Sequence, residues 1–224
     1  MLDAFAKGFA QLSDPKFRKV LWNGVGLTLA TFVLAALLSW QGLQLIPRTD
    51  QQWLNSLIDI LSGLGLLVAM AFIFPGMTVA VLGLFLDDAA QAVEARHYPA
   101  DPPGHPLDFW PALGQSVRFA LVVVGLNLLV LPLYLLLFWA LPVGALIYYG
   151  LNGYLFGREY FELVAGRHLS RPQVLVARRR YRVRVFLVGC VIAFLFTIPI
   201  LNILVPLVAT AAMVHIYKEL VPSS

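Results

Sequence analysis

Long uncharged runs alternate with short charged segments along this chain. Four runs stand out: Val20 to Pro47, Ile60 to Leu86, Phe119 to Gly157 and Val185 to Tyr217. An α-helix rises about 1.5 Å per residue, and one bilayer crossing takes about 20 apolar residues. The first two runs each fit one tilted span, and Pro75-Gly76 predicts a kink in the second. The third run would be about 58 Å long as one straight helix, and Pro132 and Pro142 interrupt it. Pro199 and Pro206 interrupt the fourth, whose halves, Val185 to Ile198 and Leu207 to Tyr217, are each too short to span. Ahead of the runs, Leu2, Phe5, Phe9 and Leu12 recur at helical spacing with Asp3 and Lys7 among them. That stripe suits a short helix lying in the membrane interface, with a frayed tail as the other reading. The first run exceeds the roughly 7–15 residues of a signal-peptide core, so it reads as a retained helix.

A weak repeat marks the breaks. Leu126-Asn127-Leu128-Leu129-Val130-Leu131-Pro132-Leu133 resembles Leu201-Asn202-Ile203-Leu204-Val205-Pro206-Leu207. Asn can bond backbone groups that a broken helix leaves free, and Pro stops a helix. Two re-entrant hairpins explain both repeats. So do two proline-kinked spans with Asn bonded to a neighbouring helix. Charge separates the readings, because cytoplasmic loops carry excess Lys and Arg. Between Arg158 and Arg184 lie eight arginines (158, 167, 171, 178, 179, 180, 182 and 184) against Glu159 and Glu162. If every run crossed once, this basic segment would lie outside; if the third run enters and returns, it lies inside with the N-terminus.

The expected fold is therefore an all-α integral membrane protein in one domain, 1–224. It has an N-terminal interfacial helix (1–14), two long transmembrane helices (18–47 and 56–96, the second extending into the cytoplasm) and two half-membrane re-entrant helical hairpins (113–150 and 185–219). A cytoplasmic basic segment (151–184) lies between the hairpins. Asn127, Pro132, Pro199, Asn202 and Pro206 would shape the hairpin turns and any pore.

Composition agrees. Of 224 residues, 60% are hydrophobic and only 12% charged, against about 25% charged in soluble domains, so a soluble fold and disorder are both excluded. The single cysteine, Cys190, forms no internal disulfide. No hydrolase, zinc-protease or P-loop motif is present, so the chain does not read as an enzyme, and no cofactor or metal is expected. His97, His105, His168 and His215 lack ligand spacing and read as surface or interface residues. Asp87-Asp88 reads as a solvated helix end. Arg178-Arg179-Arg180-Tyr181-Arg182 reads as a membrane anchor meeting anionic lipid rather than a nucleic-acid site.

One segment suggests binding. In Ser13-Asp14-Pro15-Lys16-Phe17-Arg18-Lys19, Ser13 or Asp14 caps a helix and Pro15 sits just inside it. Free N–H groups and the helix dipole at such a start attract anions, and Lys16, Arg18 and Lys19 add positive charge. Membrane anchoring explains the same cations. Asp14 opposes anion binding, because its carboxylate competes for those N–H groups.

These residues resemble the CysZ sulfate-transporter family, within the wider etoposide-induced membrane-protein superfamily. Ile198 to Ala212 resembles the family's I-P-x-x-N-x-x-x-P-x-x-x-x-x-A segment, Glu94-Ala95-Arg96 its E-A-R, and Ser13 to Lys19 its S-x-P-G-x-R-R. The resemblance implies two long transmembrane helices with two half-membrane hairpins. It also implies channel-like uptake of sulfate across the bacterial inner membrane for cysteine biosynthesis, by a homo-oligomer. The family's two sulfate-binding arginines fall on Arg18 and Lys19, beside Phe17 and Lys16. Lys16 replaces the family's Gly, and Lys19 its second Arg, which removes two-pronged binding there. Glu159-Tyr160-Phe161-Glu162 and Arg167-His168 keep only part of its Y-x-D-Y-P and N-H-K pattern. The expected partners are sulfate or a related oxyanion, membrane lipid and further copies of the chain. The alternative is a non-transporting membrane scaffold or lipid-interacting protein.

Overall fold

The computed structural model describes residues 1–45, 50–65, 83, 85–106, 109–137, 139–198, 201 and 204–221. Their secondary structure is helical, with no strand among the described residues. Helix α1 covers Leu2–Ala10 and passes through a 3-10 turn, Gln11–Ser13, into α2, Pro15–Gln44. Residues 52–65 are helical (α3). Then come α4 (Leu86–His97), α5 (Phe109–Leu136), α6 (Leu141–Ala165), α7 (Arg171–Arg180), α8 (Arg182–Phe196) and α9 (Val205–Leu220).

The helices divide into two kinds. Phe17–Gln44 in α2 and Leu113–Leu136 in α5 are long and apolar enough to cross a membrane, and only 11% and 6% of their most apolar stretches are buried. Leu34, Leu38 and Trp40 of α2 and Leu121, Leu129 and Leu136 of α5 are exposed. An apolar surface of this extent needs hydrocarbon around it. By contrast, α9 is buried along its whole run from Val205 to Tyr217. It is the axis of a bundle in which α1, α4, α6 and α8 pack around it.

Glycine sets the closest of these contacts. Gly153 and Gly157 lie one turn apart on α6 and face Gly189 on α8. A Cβ on Gly189 would come within 1.9 Å of the Gly153 carbonyl oxygen, and one on Gly157 within 2.3 Å of the Val185 oxygen. Backbone cannot yield as a flexible side chain can, so these helices require hydrogen at Gly157 and Gly189, while a Cβ at Gly153 would first meet the Cys190 sulfur at 2.5 Å. Gly8 also brings α1 close to α9, though less so, since its Cβ would sit 2.9 Å from the Val208 oxygen.

The first half of the fold follows the sequence pattern. Asp14 caps α2, its Oδ1 accepting from the Phe17 N–H at 3.2 Å, with Pro15 at the first helical position. The α1 stripe, however, turns inward: Phe5 is buried in the core and α1 docks on α9 instead of facing outward. The middle of the second expected span, with Pro75-Gly76, lies outside the described residues.

The third run departs from expectation. Pro132 does not break it; the proline sits inside α5, which continues to Leu136. The described chain turns instead at 137 and 139–140, and Pro142 lies in the first turn of α6. At 28 residues, α5 is about 42 Å long, long enough for a full crossing and longer than half of one needs. The physical reason is that hydrocarbon offers freed backbone groups no other partner, so a helix continues through Pro where water would let it end. Asn127 follows the second of the two readings of the pattern. It pairs amide to amide with Asn152 of α6, at 3.0 and 3.1 Å, and also donates to the Val123 carbonyl. In the fourth run, α8 and α9 have 15 and 16 residues, about 22–24 Å each, too short to cross singly. Pro206 starts α9, while Pro199 and Asn202 lie outside the described residues.

Gly189→Val should lower the thermal midpoint in detergent strongly or abolish folding, because its branches meet the α6 backbone. Gly125→Ala, whose Cβ would meet nothing within 4 Å, should leave the midpoint unchanged or raise it. Equal effects would contradict the packing described.

Candidate functional site

A polar junction forms where the 3-10 turn and the start of α2 meet the ends of α4, α6 and α9. At its centre, Arg167 follows α6 and is 1% exposed. A buried guanidinium must be paired. Its Nη2 donates to Glu94 Oε2 at 3.0 Å, and Nη1 donates to the Asp87 carboxylate. His168 Nε2 lies 2.8 Å from the other Glu94 oxygen, and its ring stacks on Tyr217 of α9. The loop after α4 closes over this pair. The His105 N–H donates to the Arg167 carbonyl at 2.8 Å, and a Cβ on Gly104 would stand 2.8 Å from the guanidinium Nε.

The end of α4 reaches the expected anion segment. Glu94 points into the core, and Arg96, two residues on, points away and donates to Asp14 Oδ2 at 2.9 Å. His97 Nε2 lies 2.9 Å from Gln11 Oε1, and the Tyr98 hydroxyl lies 2.8 Å from His215 Nδ1. Lys218 of α9 pairs with Asp101 at 2.8 Å.

Two protonation states follow. Burial pushes the Glu94 carboxyl up, but hydrogen bonds from Arg167 and His168 outweigh it and hold it below the usual range. Burial, followed by His97 and Lys7, pushes His215 down to about 4 from 6.5, so it is neutral near pH 7. In both cases the unfolded chain takes up protons more readily than the folded one, so both contributions are present near neutrality and are lost on acidification. The His215 contribution falls away between 6.5 and about 4, and that of Glu94 as pH drops through its lowered value.

The predicted site residues separate here. Arg18 and Lys19 are exposed at the first turn of α2. Phe17 is fully buried and belongs to the core, where its ring cannot line an anion site. The Lys16 side chain is not among those described. Asp14 occupies the Phe17 N–H and the Arg96 guanidinium together, so an anion at this helix start must compete with it. Beside the junction, a cavity between α4, α5, α6 and α9 has Asp87, Gln115, Ser116 and Glu159 on its polar wall, with Pro206 at its edge. Gln115 donates to Glu159 at 3.1 Å. Asp87 is already met by Arg167, and most of the remaining wall is apolar, so among the described residues the cavity offers a dianion no cation.

The sequence reading missed the core of this junction. His215 is buried and His168 nearly so, the interface and not the surface of the two expected placements, and Asp87 is paired instead of solvated. Glu94-Ala95-Arg96 and Arg167-His168 were singled out by resemblance, but not their contact with each other. Neighbours 73 residues apart in sequence leave no spacing signal.

A family model described as "Sulfate transporter CysZ/Etoposide-induced protein 2.4" matches residues 4–206. No curated protein matches the chain.

Glu94→Ala takes one of its two carboxylates from a buried cation, leaving only Asp87, and should cost about 3 kcal/mol, whereas Arg158→Gln, which breaks a surface pair with Glu162, should cost under about 1 kcal/mol. Chemical denaturation of both variants compares them. The thermal midpoint should fall as pH drops from neutrality to about 4, and His215→Asn should flatten that fall; an unaltered slope would remove His215 from the account.

Proposed function

The chain belongs to the sulfate transporter CysZ/etoposide-induced protein 2.4 family, and from that premise we propose that it is a channel-like permease for sulfate or a related oxyanion. It would serve the bacterial inner membrane and supply sulfate for cysteine biosynthesis. One observation carries the reading. Two exposed cations, Arg18 and Lys19, stand at the foot of a bilayer-length helix, where a dianion leaving water finds positive charge and the helix dipole. Arg18 can grip an oxyanion with two donors; Lys19 contributes a point charge.

Charge supports a topology with termini and basic segment in the cytoplasm. The length of α5 does not alter it. A hairpin that crosses twice returns to its starting side as a re-entrant one does, so the third run keeps Arg158 to Arg184 on the side of the N-terminus either way. The short α8 and α9 suit a half-membrane pair. Such a chain is multi-pass, and its broad uncovered apolar surface suits lipid or assembly into a homo-oligomer.

Specific observations favour a second reading, a non-transporting scaffold. Asp14 fills the helix start, Phe17 faces the core, and the neighbouring cavity is mostly apolar and offers no cation among the described residues.

Purified protein should bind sulfate, and more weakly as ionic strength rises. Arg18→Ala with Lys19→Ala should weaken binding by roughly tenfold or more, the worth of charged hydrogen bonds. Sulfate binding that survives the double change would move the site elsewhere; its absence in the unaltered protein would favour the scaffold. For topology, Pro103→Cys in a Cys190→Ala background should react with an impermeant maleimide only after cells are permeabilised. Labelling of intact cells would reverse the assignment.

A further inference from the structure

The eight arginines between Arg158 and Arg184 fall into two sets. Four are paired: Arg167 with Asp87 and Glu94, Arg158 and Arg178 with Glu162, and Arg184 with Glu219. The others, Arg171, Arg179, Arg180 and Arg182, are exposed and have no carboxylate partner among the described residues. All four lie on α7 or at its junction with α8.

The helix that carries them is two-faced. Val174, Ala177, Arg178 and Tyr181 recur at helical spacing and turn inward; Val174 is buried, and Arg178 reaches Glu162 at 2.9 Å. The opposite face sets apolar side chains among the unpaired arginines. Leu175 is 45% exposed, Val176 67% and Val183 65%. This apolar stripe does not stop at the helix end. It continues along α8 through Phe186, Leu187 and Phe194, all exposed. Between the helices there is no linker, since Tyr181 both ends α7 and starts α8. The exposed stripe of α8 is apolar down to Phe194 and belongs in hydrocarbon, so its first turn, at Arg182 and Val183, marks the level of the membrane surface. Chain continuity then holds the C-terminal end of α7, with Arg179 and Arg180, at that level. At that depth, arginines meet lipid phosphate while their apolar neighbours enter the acyl boundary.

We propose that the outer face of α7, with Arg171, Arg179, Arg180 and Arg182 around Leu175, Val176 and Val183, is a docking surface for the anionic phospholipid headgroup layer. The occupant follows from charge and from continuity with α8. Four cations without a carboxylate partner among the described residues, one of them (Arg180) lying over the Tyr181 ring at 5.5 Å, attract external anions, and the apolar residues between them need a boundary that is wet on one side and oily on the other. Free phosphate meets the first need only. The surface lies apart from Arg18 and Lys19, so it stands whether or not sulfate is the substrate.

The test uses the full chain in nanodiscs, with Val176→Cys in a Cys190→Ala background carrying an environment-sensitive fluorophore. In discs containing about a third phosphatidylglycerol, the label should be quenched by nitroxide lipids and protected from acrylamide. In phosphatidylcholine alone it should be open to acrylamide, and high salt should reverse the protection. Changing all four arginines to Gln should abolish the lipid dependence, by about fivefold in apparent affinity for each charge removed. Changing all four to Lys should preserve it, because a surface potential reads charge and not fork geometry. The thermal midpoint of the Gln variant should stay close to that of the parent, since none of the four has a carboxylate partner among the described residues and Arg180, over the Tyr181 ring, is exposed. Equal acrylamide access in both lipids would overturn the proposal. So would protection by inorganic phosphate in neutral discs, which would mark a soluble-anion site, and protection that rises with protein concentration, which would mark contact between copies.

Discussion

Arg167 is a guanidinium with almost no water around it, and a cation so placed is tolerable only if carboxylates meet it. Glu94 and Asp87 do so, and both come from α4. The requirement fixes the side of α4 against the end of α6 and brings His168 onto Tyr217 of α9. Once α4 is set, its last turn is set too, and Arg96 and His97 reach the segment before α2 through Asp14 and Gln11. The orientation of Arg18 and Lys19 thus depends, through four side chains, on a charge that neither touches. Loss of Glu94 would act on the anion segment as well as on stability.

Around that junction, packing and solvation divide the labour. The bundle of α1, α4, α6, α8 and α9 is held by close backbone approach at Gly8, Gly153, Gly157 and Gly189, a device that works where hydrophobic force between helices is absent. In contrast, α2 and α5 keep their apolar faces uncovered. The Asn127–Asn152 pair is a polar fastening between α5 and α6. Such bonds are individually modest in membranes, on the order of 1 kcal/mol. They fix register more than they add stability, because an amide alone in hydrocarbon would be costly.

Helical class, the first span and the cap at Asp14 were legible from run length and cap chemistry, since those depend on local residues. The shortness of α8 and α9 was legible from Pro199 and Pro206. Pro132 misled because proline's effect depends on solvent: in water it ends helices, and in an apolar layer the helix carries it. Asn127 was visible as unusual, but its partner was not, since nothing in the pattern of α6 singles out Asn152. The same holds for Arg167, which looked like one of eight arginines and differs from them only by what surrounds it. Arg18 and Lys19 were legible as exposed cations. The inward turn of Phe17 was not, because a phenylalanine at an interface and one in a core look alike in sequence.

The central claim is that this membrane bundle passes an oxyanion past the foot of α2. Uptake of labelled sulfate into liposomes containing the purified full chain, with and without an imposed proton gradient, tests it most directly. Permeation predicts uptake well above that of protein-free liposomes, reduced by changing Arg18 and Lys19 to Ala. Uptake no greater than in protein-free liposomes, under either gradient, would contradict it.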